Sequence, residues 1–301
     1  MLLNIDAYRD RCAKANVELK APQITQTMSE AELIATLPTF DGWIIGDDPA
    51  TRKVLEAGKR GKLRAAVKWG IGVDNVDLEA VRDLQLPFSN TPGMFGAEVA
   101  DLALSYVIAL ARETFVIDRG VRAGEWPKPR GISLAGRTAA VVGLGDIGGN
   151  LATRLHACGM EIIGYDPFVS LRPEYDFVRL LAWPDGIGRA DILVLTSPLT
   201  HQTHHIVNDG AIARMKKGVR LVNVSRGPLI DEQALVRGLE SGHVHSAALD
   251  VFEAEPLPNQ SPLRKFGQCI FGSHNASNTI DAVDRASNRA IDLLFQFLHI
   301  V

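Results

Sequence analysis

Residues 138–148 read TAAVVGLGDIG: an apolar run enters a glycine turn, and GNLATRLHACG continues from it with helical character. No other feature constrains the fold as much, because each glycine of a Gly-x-Gly-x-x-Gly turn between strand and helix has its own steric duty. Gly143 permits the tight turn, Gly145 lets backbone approach a pyrophosphate, and Gly148 allows the helix to pack closely on the strand. Asp146 and Ile147 complete the turn and count with the glycines as cofactor-binding residues, since the helix's first amides and its dipole favour phosphate. The next apolar run ends in Tyr165-Asp166-Pro167. Asp166 lies 21 residues beyond Gly145, where a dinucleotide fold presents the carboxylate that accepts both ribose hydroxyls. That carboxylate repels an added 2′-phosphate by about 1–4 kcal/mol per charge pair near 4 Å, so the pattern selects NAD over NADP.

The turn comes late, after 142 residues, whereas a chain that opens on such a unit carries its glycines within roughly the first 30. The preceding segment has its own α/β pattern. Residues 43–47, 64–69 and 86–90 read as strands; 29–37 opens with a Ser-x-x-Glu capping box and 77–84 starts at an Asp cap. A helix is expected over 96–115, with Val99, Leu102, Tyr106 and Leu110 on one stripe and Val107 beside it. The Gly-, Pro- and Arg-rich stretch 120–136 reads as a connector or arm. Strands follow at 138–143, 161–166, 191–196, 219–224, 246–251 and 269–271, and a last helix at 282–298. Alternation of this kind builds parallel βαβ units, here two doubly wound ones joined near 96–115, with the final helix returning to the first.

Bulk properties exclude several classes of function. A net charge of −3 gives no electrostatic reason to expect nucleic acid or an anionic membrane as partner. No apolar run approaches the roughly 20 residues that span a bilayer, and the N-terminus has no signal-peptide core. Three scattered cysteines, Cys12, Cys158 and Cys269, fit packed thiols in a reducing cytoplasm. Glycosylation at Asn275-Ala276-Ser277 or Asn223-Val224-Ser225 is set aside on that ground. The histidines of THQTHH (200–205) lack a nearby cysteine or an i,i+4 helical pair, so no metal is expected.

Reduction of a 2-keto acid needs a cation for the carboxylate and ketone, a proton donor for the developing alkoxide, and a group that orients the donor. Arg226 follows the strand at 219–224, Asp250 and Glu255 follow the next, and His274 follows the last, all at carboxyl ends where such sheets bind ligands. Together with GIGVDNVDLEA, NTPGMFGAEVAD, GLGDIGG, YDP, SPLTHQTHHIVN, VNVSRGPLIDEQAL, ALDVFEAEPLPNQSPL and GSHNASNT, these residues make nearly the whole chain resemble the D-isomer-specific 2-hydroxyacid dehydrogenases. The branch most similar is that of phosphoglycerate dehydrogenase. The spacings, 29 residues from Arg226 to Glu255 and 19 from there to His274, are also family-like.

The resemblance implies a Rossmann NAD-binding domain (95–278) inserted into a flavodoxin-like substrate domain (1–94, with the returning helix 279–301). It implies two domains closing over a cleft, and a homodimer built on 96–125. Arg226 would grip the substrate, and His274 would be the acid/base with Glu255 on its ring, a partner that favours the imidazolium. Asp250 would meet the nicotinamide carboxamide; Ser197, Val224 and Ser225 would line the cofactor cleft. The backbone of Gly70-Ile71-Gly72 would cradle the substrate carboxylate from the first domain.

Three places depart from the family pattern. Only Met1-Leu2-Leu3 stands where an opening strand belongs, and Gly46-Asp47-Asp48 replaces the arginine that holds a substrate phosphate, which argues against 3-phosphoglycerate. Gly272-Ser273 stands before His274 where a proline is usual. The expected activity is interconversion of a small D-2-hydroxy acid and its 2-keto acid. The alternatives are an NAD(H)-sensing binding protein of the corepressor kind and a formate- or phosphite-type dehydrogenase on the same scaffold.

Overall fold

A computed structural model describes residues 5–22, 27–169 and 175–300. Residues 1–3, which stand where an opening strand is expected, lie outside the described residues. The chain forms two compact units, Met1–Phe95 with Asn278–Val301, and Gly96–Ser277.

The first unit runs α1 (Asp6–Lys14), α2 (Glu30–Thr36), β1 (Gly42–Ile45), α3 (Arg52–Arg60), β2 (Ala65–Lys68), α4 (Leu78–Asp83) and β3 (Phe88–Asn90). Its described strands form one parallel sheet in the order β1-β2-β3. The capping box read from the sequence is formed: Ser29 Oγ accepts the Glu32 amide while Glu32 accepts that of Ser29. Asp77 Oδ1 caps α4 by accepting the Ala80 amide at 2.7 Å. Such caps satisfy donors that a helix leaves unpaired and contribute about 1 kcal/mol each.

The second unit begins with α5 (Gly96–Arg112) and α6 (Thr114–Arg122). The helix expected to run unbroken to 115 therefore ends at Arg112, and Gly120–Arg122 are helical, not part of an arm. Glu113 between the helices takes φ +56°, in the left-handed region where a helix stops. Its buried carboxylate is held there by Arg220 at 3.8 Å and His245 at 3.4 Å. Of the apolar stripe on α5, Val99, Tyr106, Val107 and Leu110 are buried and Leu102 half-buried.

After this pair come β4 (Thr138–Val142), α7 (Asp146–Ala157), β5 (Glu161–Tyr165), β6 (Val178–Leu180), β7 (Ile192–Leu195), α8 (Asp209–Arg214), β8 (Val219–Asn223), α9 (Glu232–Glu240), β9 (Val244–Leu249) and β10 (Ile270–Phe271). Among the described residues these strands form a seven-stranded parallel sheet in the order β10-β9-β8-β7-β4-β5-β6. Counted from β4, that is the Rossmann order 3-2-1-4-5-6 with a seventh strand added at the far edge. Central strands β4, β7 and β8 are buried along their whole length, which is why β7 reads as an unbroken apolar run and β4 as one after Thr138, while β8 buries Arg220 and Asn223 among its apolar residues. The order reverses at β4, so the crevice at the carboxyl ends of β4 and β7 is the ligand position of this fold.

The last helix, α10 (Ile280–Leu298), belongs to the first unit. It covers that unit's sheet: Ala290 and Leu293 pack on Val67, and Trp69 Nε1 donates to Ser287 Oγ at 3.1 Å.

Candidate active site

The glycine turn sits at the switch point, between β4 and α7. Gly143 has φ +90°, and a Cβ there would lie 2.7 Å from the Ser197 backbone. A Cβ on Gly148 would lie 1.9 Å from the Gly143 carbonyl oxygen, so the helix can approach the turn only without a side chain. A Cβ on Gly145 would meet nothing within 4 Å; it stands before α7 with an open side. Asp146 and Ile147 open α7 with their amides in its unpaired first turn. Asp166 follows β5 and is fixed against the turn, its Oδ2 accepting the Leu144 amide at 2.9 Å and its Oδ1 that of Phe168 at 2.9 Å.

Beyond β7 and β8 two loops are tied together. Ser225 Oγ donates to the Ser197 carbonyl, and Val224 is buried behind them. Asn223 organises this region, a role the sequence pattern did not mark. Fully buried at the end of β8, it accepts the Ser225 amide on Oδ1 at 3.1 Å and donates from Nδ2 to the Arg226 carbonyl at 2.8 Å. Arg226 is thereby fixed at its backbone, and its guanidinium donates to the Ser225 carbonyl at 2.8 Å.

Asp250, 1% exposed, accepts the Ala276 amide on Oδ2 at 2.8 Å. Its Oδ1 takes no hydrogen bond of normal geometry, although the Tyr106 hydroxyl faces it; burial, then the Asp250 charge, pushes that hydroxyl far above the usual tyrosine range. Gly272, in the segment that departs from the family pattern, is closely confined. A Cβ there would lie 2.1 Å from Asp250 Oδ1 and 2.6 Å from the Tyr106 hydroxyl, so any larger residue would displace the carboxylate.

His274 adopts φ +55° and donates its amide to the Asp250 carbonyl at 2.7 Å. Its Nδ1 lies 2.7 Å from Glu255 Oε2, and Glu255 is aimed by the Phe252 amide, which donates to Oε1 at 2.8 Å. With Nδ1 bound to a carboxylate, the ring is oriented and Nε2 becomes the nitrogen suited to proton transfer. The second unit thus brings together, along one sheet edge, Gly143, Gly145, Asp146, Ile147, Gly148, Asp166, Ser197, Val224, Ser225, Arg226, Asp250, Glu255 and His274.

Gly70, Ile71 and Gly72 follow β2 in the first unit. Gly70 has φ +127° and its amide donates to Thr91 Oγ1 at 2.8 Å, so the expected three-amide cradle reduces to Ile71 and Gly72. Asn90 Nδ2 holds this loop through the Ile71 carbonyl at 2.8 Å. The two carboxylates expected to repel a phosphate also differ. Asp48 is buried and accepts the Met28 amide at 2.8 Å, whereas Asp47 is half-exposed and lies 3.5 Å from Lys68 Nζ.

The carboxyl ends of β4, β5, β7 and β9 carry groups that fit a nicotinamide dinucleotide: an open glycine turn at a helix start, a carboxylate after β5, and buried oxygens at Ser197 Oγ and Asp250 Oδ1 that make no hydrogen bond of normal geometry. Comparison with known proteins agrees. The sequence profile of the D-isomer specific 2-hydroxyacid dehydrogenase NAD binding domain matches residues 104–276. A hydroxypyruvate reductase of Thermotoga maritima is 35% identical over 92% of this chain and 90% of its own length. A D-3-phosphoglycerate dehydrogenase of Methanocaldococcus jannaschii is 36% identical over 93% of this chain. This chain spans about half the length of such dehydrogenases, 54% in that case. The crystal structure of the TT0316 protein from Thermus thermophilus superposes with a TM-score of 0.89 at 30% identity, covering 97% of this chain and 94% of that one. The chain belongs to the D-isomer-specific 2-hydroxyacid dehydrogenase family, with its NAD-binding domain in the second unit.

Proposed function

We propose that this protein is an NAD-dependent oxidoreductase that interconverts a small D-2-hydroxy acid and its 2-keto acid. The observation that carries this reading is the His274–Glu255 pair, 2.7 Å apart, on the loops that follow the same sheet as Arg226 and the glycine turn. In this reading His274 gives its Nε2 proton to the ketone oxygen, and Glu255 keeps the ring oriented and charged for it. Arg226 binds the substrate carboxylate and polarises the ketone. Gly143, Gly145, Asp146, Ile147 and Gly148 receive the pyrophosphate, Asp166 the ribose, and Asp250 the carboxamide, with Ser197, Val224 and Ser225 lining the cleft. When bound, the reduced nicotinamide supplies the hydride. Ile71 and Gly72 offer amides to the substrate carboxylate.

Relatives named as hydroxypyruvate reductase and phosphoglycerate dehydrogenase point to short, polar 2-keto acids. The half-exposed Asp47 carboxylate disfavours a phosphorylated one, less strongly than two free carboxylates would. A homodimer built on α5 and α6 is supported by the exposed apolar residues Ile108, Phe115, Val121 and Trp126 on and after those helices. Three free cysteines suit a cytoplasmic setting. No helix among the described residues is long and apolar enough to cross a membrane.

The test is NADH oxidation followed over glyoxylate, hydroxypyruvate, phosphohydroxypyruvate, pyruvate and bulkier 2-keto acids. Steady turnover with at least one unphosphorylated acid is expected. Tight NADH binding without turnover across the panel would replace the enzyme by an NADH sensor.

A further inference from the structure

The loop after β9 carries two glutamates, each bonded to a different histidine. Glu255 Oε2 meets His274 Nδ1 at 2.7 Å, and Glu253 Oε1 meets His205 Nε2 at 2.7 Å. A third glutamate closes on the same loop. Glu232, the first residue of α9, accepts the Glu253 amide on Oε1 at 2.8 Å, next to the Phe252 amide that serves Glu255. Two successive amides of one loop are thus each claimed by a carboxylate, which fixes the direction in which Glu253 and Glu255 leave the chain. The α9 side is in close contact with this loop, because a Cβ on Gly227 would lie 1.9 Å from the Phe252 carbonyl group. The three carboxylates also interact electrostatically: the Glu232 carboxyl is pushed up first by burial, then by the charges of Glu253 and Glu255.

We propose that Glu232, Glu253 and His205 are positioning residues for the Glu255–His274 pair, holding the 252–255 loop in place and setting the pH at which the His274 ring releases its proton. The proposal rests on His274 being the proton donor. Each ketone reduced takes one proton from His274, and solvent returns one, since the ring's side chain is 27% exposed. Glu255 alone touches the His274 ring, and each further carboxylate on the same loop network adds negative charge that favours the protonated ring. His205, when protonated, cancels one of those charges at the outer end of the network. Other ionisable groups on the packed elements are Arg226 and Asp231 between β8 and α9, Arg237 and Glu240 on α9, His204 with its ring stacked 4.0 Å from His205, and Asp250 beneath the His274 amide with the Tyr106 hydroxyl facing it. None is altered in the test.

The full chain, labelled with nitrogen-15 histidine, is titrated by NMR as wild type and as Glu232→Gln, Glu253→Gln and His205→Asn. His274→Gln assigns the ring signals. Glutamine retains the carbonyl that accepts the Glu253 amide, and asparagine tolerates the φ of +49° at position 205. The two glutamine variants should each lower the His274 midpoint by about half a pH unit, the order of magnitude for removing one solvent-screened carboxylate charge from the network. His205→Asn should raise it, and the limb of kcat against pH should follow each shift. A purely structural role would lower melting temperature and leave the midpoint where it was. Midpoints that agree among folded variants to about 0.1 unit would overturn the proposal, whatever the turnover. If the midpoints move but wild type reduces no keto acid, the functional reading fails while the charge network stands.

Discussion

Two histidine–glutamate pairs share the loop after β9, and their nitrogen–oxygen distances are the same 2.7 Å. Both histidines have left-handed backbone, φ +55° at His274 and +49° at His205. They differ in which nitrogen the carboxylate takes. Glu255 binds Nδ1 of His274, the nitrogen nearer the main chain, and turns the distal Nε2 away from itself. Glu253 binds the distal Nε2 of His205 and consumes the nitrogen that reaches furthest. A histidine paired with a carboxylate is thus not by itself a catalytic signature; the orientation of the ring decides what the pair can do.

The sharpest way to break this comparison is to remove each ring in turn. His274→Ala should lower kcat by about 10²–10⁴-fold, the range for loss of a general acid. Its dissociation constant for NADH should stay within about twofold, because no cofactor-binding residue is touched. Stopped-flow turnover and NADH fluorescence titration measure the two. Turnover within a few-fold of wild type would remove His274 from the chemistry.

Next in size is a change beneath the catalytic loop. Gly272→Ala places a methyl group where Asp250 Oδ1 now lies, 2.1 Å from the ideal Cβ. The carboxylate has to shift, and NADH binding should weaken by about tenfold, or roughly 1.4 kcal/mol. Stability should fall by about 1–3 kcal/mol from overpacking. Unchanged NADH affinity in a folded variant would detach Asp250 from the cofactor.

The unequal legibility of these two regions has a physical basis. The glycine turn was readable because three backbone constraints fall at fixed spacing, and Gly143 and Gly148 show the expected crowding. Strands such as β4 and β7 were readable because a parallel strand buried on both faces is a near-continuous apolar run. What sequence could not show depends on long-range charge and on side chains bonding to backbone. Glu113 reads as one more helical residue until Arg220, more than a hundred positions on, holds its carboxylate at the break between α5 and α6. Asn223 looks like part of a strand, yet both ends of its amide shape the Arg226 loop. Gly70 carries the glycine expected of a carboxylate cradle, but Thr91 has already taken its amide. His205 sits in THQTHH, where a metal was the only chemistry to weigh, and nothing local ties it to Glu253, 48 residues away.

A smaller effect is expected from the second ring. His205→Asn should lower kcat less than tenfold and stability by about 0.2–1 kcal/mol, the value of a partly exposed ion pair. A loss as large as that of His274→Ala would mean that the two pairs are not distinct in role, and the argument from ring orientation would fall.

The smallest effect concerns stability alone and separates charge from geometry at Glu232. Because the folded protein raises the proton affinity of this carboxyl, the native state binds a proton in a range where the unfolded chain has released it. Stability then decreases as pH rises from the unfolded value, about 4.3 for a glutamate, through the raised folded value. The ionised side chain is left with a penalty at neutral pH. Glu232→Gln removes that charge and retains the acceptor for the Glu253 amide, so it should raise the melting temperature slightly at neutral pH. The gain, under about 1 kcal/mol for a partly buried group still screened by solvent, should vanish below about pH 4, where wild type is itself protonated. A variant less stable than wild type at neutral pH would show that Glu232 serves the loop through its charge as well as its carbonyl oxygen, with an unbalanced attraction to a cation outweighing the repulsion from Glu253 and Glu255.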